Sequence, residues 1–257
     1  MRRTRLDGRV AIKTRFALRK PLLLGLLRPS AFQKPAWISP PEWKSMELVP
    51  ANAVPRVTPD RLANLLDFYG SNKASKHDYQ FPLSFAFNVA PAGALVEFGI
   101  AASSTHGPED GPIGPDEYIG ASLRAAADLG RFTNVIGADH DPRFLIRSEH
   151  FTSIRVDQYD IESLRVCMQQ ADAMSPSGIA VVIDDGAHTH DSILNTVVVA
   201  FPHLKKGGVM IVEDLDRSTL QTVLSEVLRV ANPCKWGLWS NLDQGPNNNV
   251  LVIGKID

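Results

Sequence analysis

The run VVIDDGAHTH, residues 181–190, closes an apolar stretch with Asp184, Asp185, His188 and His190. Carboxylates are hard oxygen ligands, and imidazole is the side chain whose ordinary pKa lies nearest neutral pH. Together at the end of a buried strand, they point to a cation site, acid–base chemistry, or both. Acids recur at comparable places: Glu97 in ALVEFG, Asp139 in NVIGAD, Asp157 in TSIRVD and Glu213-Asp214 in GVMIVED. Aspartate also favours strand ends and helix caps, which accounts for two or three of these five stretches. An acid closing all five favours a ligand site.

Such residues converge only if a scaffold brings the strand ends to one edge. The apolar runs 94–99, 134–139, 152–157, 179–184 and 208–214 read as strands. Helical patterns over 120–130, 142–150, 160–173, 190–204 and 217–231 follow them in turn. Alternation of this kind builds crossover units on a parallel sheet, and near-continuous apolar strands mean that both faces are covered. The last two strands, 235–240 and 249–256, have no helix between them and form an antiparallel hairpin. The expected fold is therefore α/β and Rossmann-like, a mostly parallel seven-stranded sheet with a C-terminal antiparallel hairpin. Ligands of such sheets bind beyond the carboxyl ends of the strands.

Ahead of the regular pattern, residues 1–56 read as a basic, proline-rich, irregular extension, and 57–257 as the catalytic domain. TPDRLANLLDFY (58–69) reads as a helix, with Thr58 as cap and Pro59 in its first turn. A polar segment, 70–80, follows. The insertion 100–119, with Gly107, Pro108, Gly111, Pro112, Gly114 and Pro115, reads as a mobile cover over the site.

The chain has 257 residues, 44% of them hydrophobic and 21% charged, enough for a substantial core. Net charge is −1, but residues 1–35 carry ten Lys/Arg against Asp7, leaving the body at −10. An acidic body excludes nucleic acid as the expected partner. The basic arm reads either as a solvated tail or as a contact for a partner or an anionic surface. LLLGLL (22–27) is too short to span a bilayer, and Arg28 and Pro29 after it do not fit a signal sequence. Cys167 and Cys234 match no metal or redox spacing and read as reduced thiols of a cytoplasmic protein. The oligomeric state, homo-oligomer or monomer, is left open.

An acid closing the second strand, Asp139, can accept hydrogen bonds from ribose hydroxyls. The glycine-rich turn that cradles a pyrophosphate is missing, since only Gly99 is near and a long insertion precedes the next helix. That combination fits a ligand with adenosine but no phosphate. S-adenosylmethionine is such a ligand, and Glu97 or its neighbours can meet its cationic methionine end.

Taken in order, VEFG, GASLR, GADHDP, VDQYD, IDDGAHTH and LKKGGVMIVED resemble class I S-adenosylmethionine-dependent methyltransferases. More narrowly, they resemble the metal-dependent sugar O-methyltransferases of macrolide tailoring, of the mycinamicin and macrocin type, and their relatives from polysaccharide biosynthesis. The likeness covers about residues 65–255. It implies Mg²⁺ ligands at Asp185, Glu213 and Asp214, a general base at His188, and cofactor contacts at Asp139, Asp157 and Gln158. Gly99 and Ser122, in VEFG and GASLR, join Glu97 in the expected cofactor-binding set. YGSNKASKHDY (69–79) resembles a family element near the active site, with Ala74 where glycine is usual. The large N-terminal auxiliary domain of the mycinamicin enzyme has no counterpart here.

The chemistry is self-consistent. A sugar hydroxyl is about as weak an acid as water, with a pKa of ~15.7, and a metal ion lowers such a value steeply. Three carboxylates suit Mg²⁺ or Ca²⁺ rather than Zn²⁺. Alternatively, Glu213 and Asp214 diverge and one caps the next helix. His190 reads as structural, His77 as a second candidate near substrate, and the remaining histidines as surface or loop residues. The expected activity is O-methylation of a sugar or a glycosylated small molecule. Methylation of a phenol or catechol, and a non-catalytic nucleotide-binding module, are the alternatives.

Overall fold

The computed structural model describes residues 55–100, 119–218, 220–241 and 248–256, together with the backbone of 36–38. The acidic strand ends come together because one sheet runs through the whole molecule. Its strands are β1 (Ala36–Ile38), β2 (Ala94–Phe98), β3 (Val135–Asp139), β4 (Thr152–Arg155), β5 (Ile179–Asp184), β6 (Leu204–Val212), β7 (Cys234–Ser240) and β8 (Asn249–Lys255). The order across the sheet is β1-β7-β8-β6-β5-β2-β3-β4. Strands β4, β3, β2, β5 and β6 are mutually parallel, while β8 pairs antiparallel with both β6 and β7. The seven expected strands and the closing antiparallel pair are all present. An eighth, β1, pairs antiparallel with β7 through Ala36–Ile38. The extension therefore contributes an edge strand that its proline-rich sequence does not announce.

Every residue of β2, β3 and β5 is buried, as a sheet covered on both faces requires. Successive side chains alternate between the faces. Val96, Phe98, Ile136, Val182 and Met210 face one core, with Leu164, Met168, Val197 and Leu224 from helices α5 (Ile161–Met174), α6 (His190–His203) and α7 (Leu220–Val230). Leu95, Val135, Val181 and Val209 face the other. There they meet Leu62 and Leu66 of α1 (Pro59–Phe68), Leu83 of α3 (Gln80–Val89) and Leu123 of α4 (Ala121–Asp128).

Helix starts follow their caps. Thr58 accepts from the Arg61 N–H, Asp160 from that of Glu162, and Thr189 exchanges bonds with Ser192 in a capping box. Two stretches differ from expectation. The polar segment contains a short helix, α2 (Asn72–Ser75), and runs into α3, over a stretch for which no element is expected. Pro82 lies in the first turn, where the backbone N–H has no helical partner to lose. The expected helix over 142–150 shrinks to a single 3₁₀ turn, Pro142–Phe144. Beyond it, Arg147 forms a bridge with Thr152, and Ser148 Oγ accepts from the Phe151 N–H at 3.1 Å, so the chain turns directly into β4.

Neither Cys167 nor Cys234 is in a disulfide. Burial pushes the Cys167 thiol up to about 12 and the Cys234 thiol up to about 11. The thiolate is the reactive form, so both should resist alkylation. Iodoacetamide at pH 8 is expected to modify neither in the folded protein and both in denaturant, read by mass spectrometry.

Candidate active site

The site lies where β6, β5 and β2 end side by side. Backbone hydrogen bonds carry the ladder past the strands: Asp185 N–H donates to Phe98 O at 2.9 Å, and Glu213 N–H to Asp184 O at 3.0 Å. Glu97, Asp185 and Glu213 are thereby held on three adjacent chains. The close packing depends on Gly99, whose φ is +86° and whose missing Cβ would lie 2.0 Å from Asp185 O. Gly99→Ala therefore combines left-handed strain with a backbone clash. It is expected to cost about 3 kcal/mol, read as a lower urea midpoint at unchanged slope.

Lys73 of α2 lies among these carboxylates. Its Nζ is 2.6 Å from Glu213 Oε2, 2.8 Å from Asp185 Oδ2 and 3.1 Å from Glu97 Oε1. Burial alone would lower the pKa of Lys73, but Asp185, Glu213 and Glu97 outweigh it and hold the group well above the usual lysine range. Burial pushes Glu213 and Glu97 above the ordinary carboxylate range, with Lys73 opposing the shift at both. Glu97 Oε1 also accepts from Ser122 Oγ at 2.7 Å. One oxygen each of Glu97 and Glu213, Oε2 and Oε1, stays buried with no hydrogen-bond partner.

The outer half of the cluster is more open. Asp185, His188 and Asp214 bring one ligand atom each to within 4.8 Å of one another. His188 Nε2 is 3.7 Å from Asp185 Oδ1 and 3.8 Å from Asp214 Oδ2. The buried Tyr79 donates its hydroxyl to Asp214 Oδ1, on the far side of that carboxylate. His188 and Asp214 both have left-handed backbones, with φ of 53° and 52°. That conformation costs a non-glycine residue about 1–3 kcal/mol and concentrates at functional sites, where surrounding contacts impose it.

Of the expected Mg²⁺ ligands, Asp185 and Asp214 thus converge. Glu213 is paired with Lys73 and lies outside the grouping that His188 completes. Glu213 pairs with Lys73 and Asp214 with Tyr79 and His188, and among the described residues neither makes the cap bond to the next helix that the alternative supposes.

A cavity of about 330 Å³ adjoins Asp185 and is bordered by Gly99, Asp139, Asp157 and Gln158, with Phe144, Val156 and Tyr159 as its apolar wall. Asp139 Oδ2 accepts from the Ile100 N–H and Oδ1 from the Asp141 N–H, both at 2.9 Å. Asp157 Oδ1 accepts from the Tyr159 N–H at 2.9 Å. Gln158 borders the same cavity, and its side chain also has partners within the protein. Its Nε2 donates to Asp184 Oδ1 at 2.7 Å and to Thr196 Oγ1 at 2.9 Å, and its Oε1 accepts from the Ala187 N–H at 2.9 Å. Gln158 thus ties the end of β4 to the turn after β5, where burial pushes Asp184 up to about 6. Glu97 and Ser122 are bonded to each other and border the Lys73 cluster instead of this cavity.

His190 bonds Asp191 and approaches Glu226 of α7, the structural part expected of it. His77 Nδ1 lies 2.9 Å from Asn248 Oδ1, beside the Tyr79 ring. Lys73 and Tyr79 are the residues that sequence reasoning missed. Both stand in YGSNKASKHDY, so the motif marked the segment, but a lysine in a polar run carries no sign of burial.

No family model matches the chain. Over 183 residues it is 33% identical to the 8-demethyl-8-alpha-L-rhamnosyl tetracenomycin-C 2'-O-methyltransferase of Streptomyces olivaceus. The match covers 70% of this chain and 44% of that enzyme, so the chain spans under half the length of this curated relative. Among solved structures it is similar to the MycE methyltransferase of mycinamycin biosynthesis in complex with Mg and SAH. That match has a TM-score of 0.51 at 20% identity and covers 76% of this chain and 55% of that one. The MycE complex that also holds mycinamycin VI gives 0.51 at 19% identity, covering 76% and 54%. Its sheet, the strand-end site and these likenesses agree: the chain has the class I S-adenosylmethionine-dependent methyltransferase fold.

Proposed function

We propose that this chain is an S-adenosylmethionine- and Mg²⁺-dependent O-methyltransferase acting on a hydroxyl of a sugar or a glycosylated small molecule. The observation that carries the reading is the convergence of Asp185, His188 and Asp214 beside an acid-bordered cavity. The similar tetracenomycin enzyme methylates a rhamnosyl 2'-oxygen by its name, and the MycE complexes hold Mg and SAH. The cavity volume suits a small-molecule ligand. Asp139 and Asp157 lie where ribose hydroxyls need acceptors, and each carboxylate oxygen keeps a second lone pair beyond its backbone bond.

The residues fit a divalent cation. Lys73 is the one ammonium among Glu97, Asp185 and Glu213, with Asp214 beyond them, so carboxylates outnumber cations in the cluster, and Glu213 Oε1 is buried without a partner. Asp185, Glu213 and Asp214 would hold the ion, Glu213 through the oxygen that Lys73 leaves free, since hard cations choose carboxylate oxygens over imidazole. When bound, Mg²⁺ lowers the pKa of a hydroxyl it touches. His188 Nε2 takes the hydroxyl proton as the oxygen attacks the methyl carbon. S-adenosylmethionine, when bound, would supply the methyl group, the new C–O bond replacing the methyl–sulfur bond and the sulfur departing as a neutral thioether. Asp185 and Asp214 lie 3.7 and 3.8 Å from His188 Nε2, near enough for their charge to stabilise an imidazolium there.

Gly120 N–H donates to Ile100 O at 3.1 Å, so the ends of the 100–119 insertion meet beside Gly99 at the cavity rim. We assign that insertion, whose interior lies outside the described residues, as the cover of the bound reactants. No helix among the described residues is long and apolar enough to cross a membrane. The free cysteines support a cytoplasmic setting.

Calorimetry tests the reading. S-adenosylmethionine and its demethylated product are expected to bind and NAD not to bind. NAD binding without S-adenosylmethionine binding overturns it. Methyl transfer to a catechol in preference to glycosylated acceptors overturns the sugar assignment.

A further inference from the structure

His77 has no part in the reaction described above, yet its turn between α2 and α3 is held by two asparagines of the β7–β8 hairpin. Asn241 Nδ2 donates to Asp78 Oδ2 at 2.7 Å, and Asn248 Nδ2 donates to His77 O at 3.0 Å. Both asparagines are buried, and Asp78 has a left-handed backbone with a φ of 59°. A strained turn persists only where its surroundings impose it, and such turns concentrate at functional sites.

The same bonds decide which nitrogen of His77 carries hydrogen. Asn248 Nδ2 donates to a second carbonyl, Asn241 O, at 3.1 Å, so the NH₂ end of that amide is fixed by two acceptors. Its Oδ1 end can only accept, and it lies 2.9 Å from His77 Nδ1. Nδ1 therefore carries a hydrogen, and in the neutral ring Nε2 holds a lone pair. Among the described residues Nε2 has no hydrogen-bond partner. The half-buried ring thus presents one acceptor in a fixed place.

That place is on the acceptor's side of the site. Across the sheet the strands follow in the order β4, β3, β2, β5, β6, β8. The cavity is bordered by Asp157, Asp139, Gly99 and Asp185, beyond the ends of the first four. The β7–β8 hairpin lies past β6, where Leu215 N–H donates to Asn249 O at 3.0 Å. Methyl transfer needs oxygen, carbon and sulfur aligned, so the acceptor approaches from the side opposite the methyl donor. His77 borders that side.

We propose that His77 is a specificity residue: its Nε2 accepts a hydrogen bond from an acceptor hydroxyl other than the one methylated. This rests on the sugar O-methyltransferase reading and narrows the acceptors to sugars that keep a second free hydroxyl. A site built to bond a hydroxyl is left with an unpaired polar group by an analogue that lacks it, and so rejects that analogue.

The test uses p-nitrophenyl hexopyranosides and, for the one best methylated, each monodeoxy form that still reacts. Wild type is expected to lose about 10–100-fold in kcat/KM on one monodeoxy form, the cost of a group left unpaired. His77→Phe is expected to lose as much on the parent glycoside, to treat the parent and that monodeoxy form alike, and to bind S-adenosylmethionine as the wild type does. An equal loss on the parent and on every monodeoxy form is what a purely structural ring gives, and it overturns the proposal. Long-range ¹H–¹⁵N spectra of the wild type cover the case in which His77→Phe does not fold. Hydrogen on His77 Nδ1 alone is expected, with an Nε2 shift that moves on adding the parent glycoside and not that monodeoxy form. Hydrogen on Nε2, or a shift that ignores the glycoside, overturns the proposal. A wild type that methylates no glycoside overturns the functional reading and this proposal with it. Methylation whose preference among the monodeoxy forms is the same in wild type and His77→Phe overturns this proposal alone.

Discussion

Asp185→Asn is expected to lower kcat by about 10⁴-fold, more than any other single substitution in the cluster, and to remove the dependence on Mg²⁺. The size follows from the position of Asp185. Its Oδ1 faces His188 and its Oδ2 accepts from Lys73, so it serves both the outer site and the inner ammonium. An amide carries no charge for the ion, and its NH₂ presents a donor to whichever cation it faces. Acidification of the hydroxyl and its orientation are lost together. The check is single-turnover methyl transfer to a glycosylated acceptor across an Mg²⁺ series. A chelator should silence the wild type, added Mg²⁺ should restore it, and the variant should respond to neither. Wild-type turnover in excess chelator would mean that Asp185 and Asp214 form no metal site.

His188→Ala is expected to leave S-adenosylmethionine affinity nearly unchanged and to lower kcat by about 10²–10⁴-fold, the usual contribution of a general base. His188 is exposed, its backbone has a φ of 53°, and its Nε2 lies 3.7 Å from Asp185 Oδ1 and 3.8 Å from Asp214 Oδ2. Removing the ring relieves backbone strain only slightly, since alanine is strained in the same region. The variant should therefore fold, with unchanged calorimetric binding of the methyl donor and reduced turnover. Full activity on a sugar-bearing acceptor would reduce VVIDDGAHTH to a capped strand end.

Much of the scaffold is legible in the chain. Period and punctuation announce β2 to β8 and most of the large helices, because buried strands between covering helices must be continuously apolar and helix starts must satisfy their free N–H groups. The acids at those strand ends are legible for the same reason: an ionisable group that closes an apolar run stands out. Helix α3 follows the polar segment without a side-chain cap and carries Pro82 in its first turn, so no start signal announces it. The helix expected over 142–150 fails because Ser148 and the Arg147–Thr152 bridge turn the chain back.

Linear order also ranks Glu213 with Asp214, although both lie past the end of β6 and the left-handed backbone of Asp214 turns the chain between them. Their partners lie far off in the chain: Lys73, 140 residues away, for Glu213, and Tyr79, 135 residues away, for Asp214. Gln158, placed by its motif against a ligand, bonds Asp184 and Thr196 once β4 and β5 are folded. The chain alone establishes the parallel sheet, its acidic edge and the imidazole at position 188, because these depend on local pattern. The division of the carboxylates into an inner set around Lys73 and an outer set around His188 depends on long-range pairing of charges in a dry interior. A charge there is tolerable only beside its partner, and no local spacing names that partner.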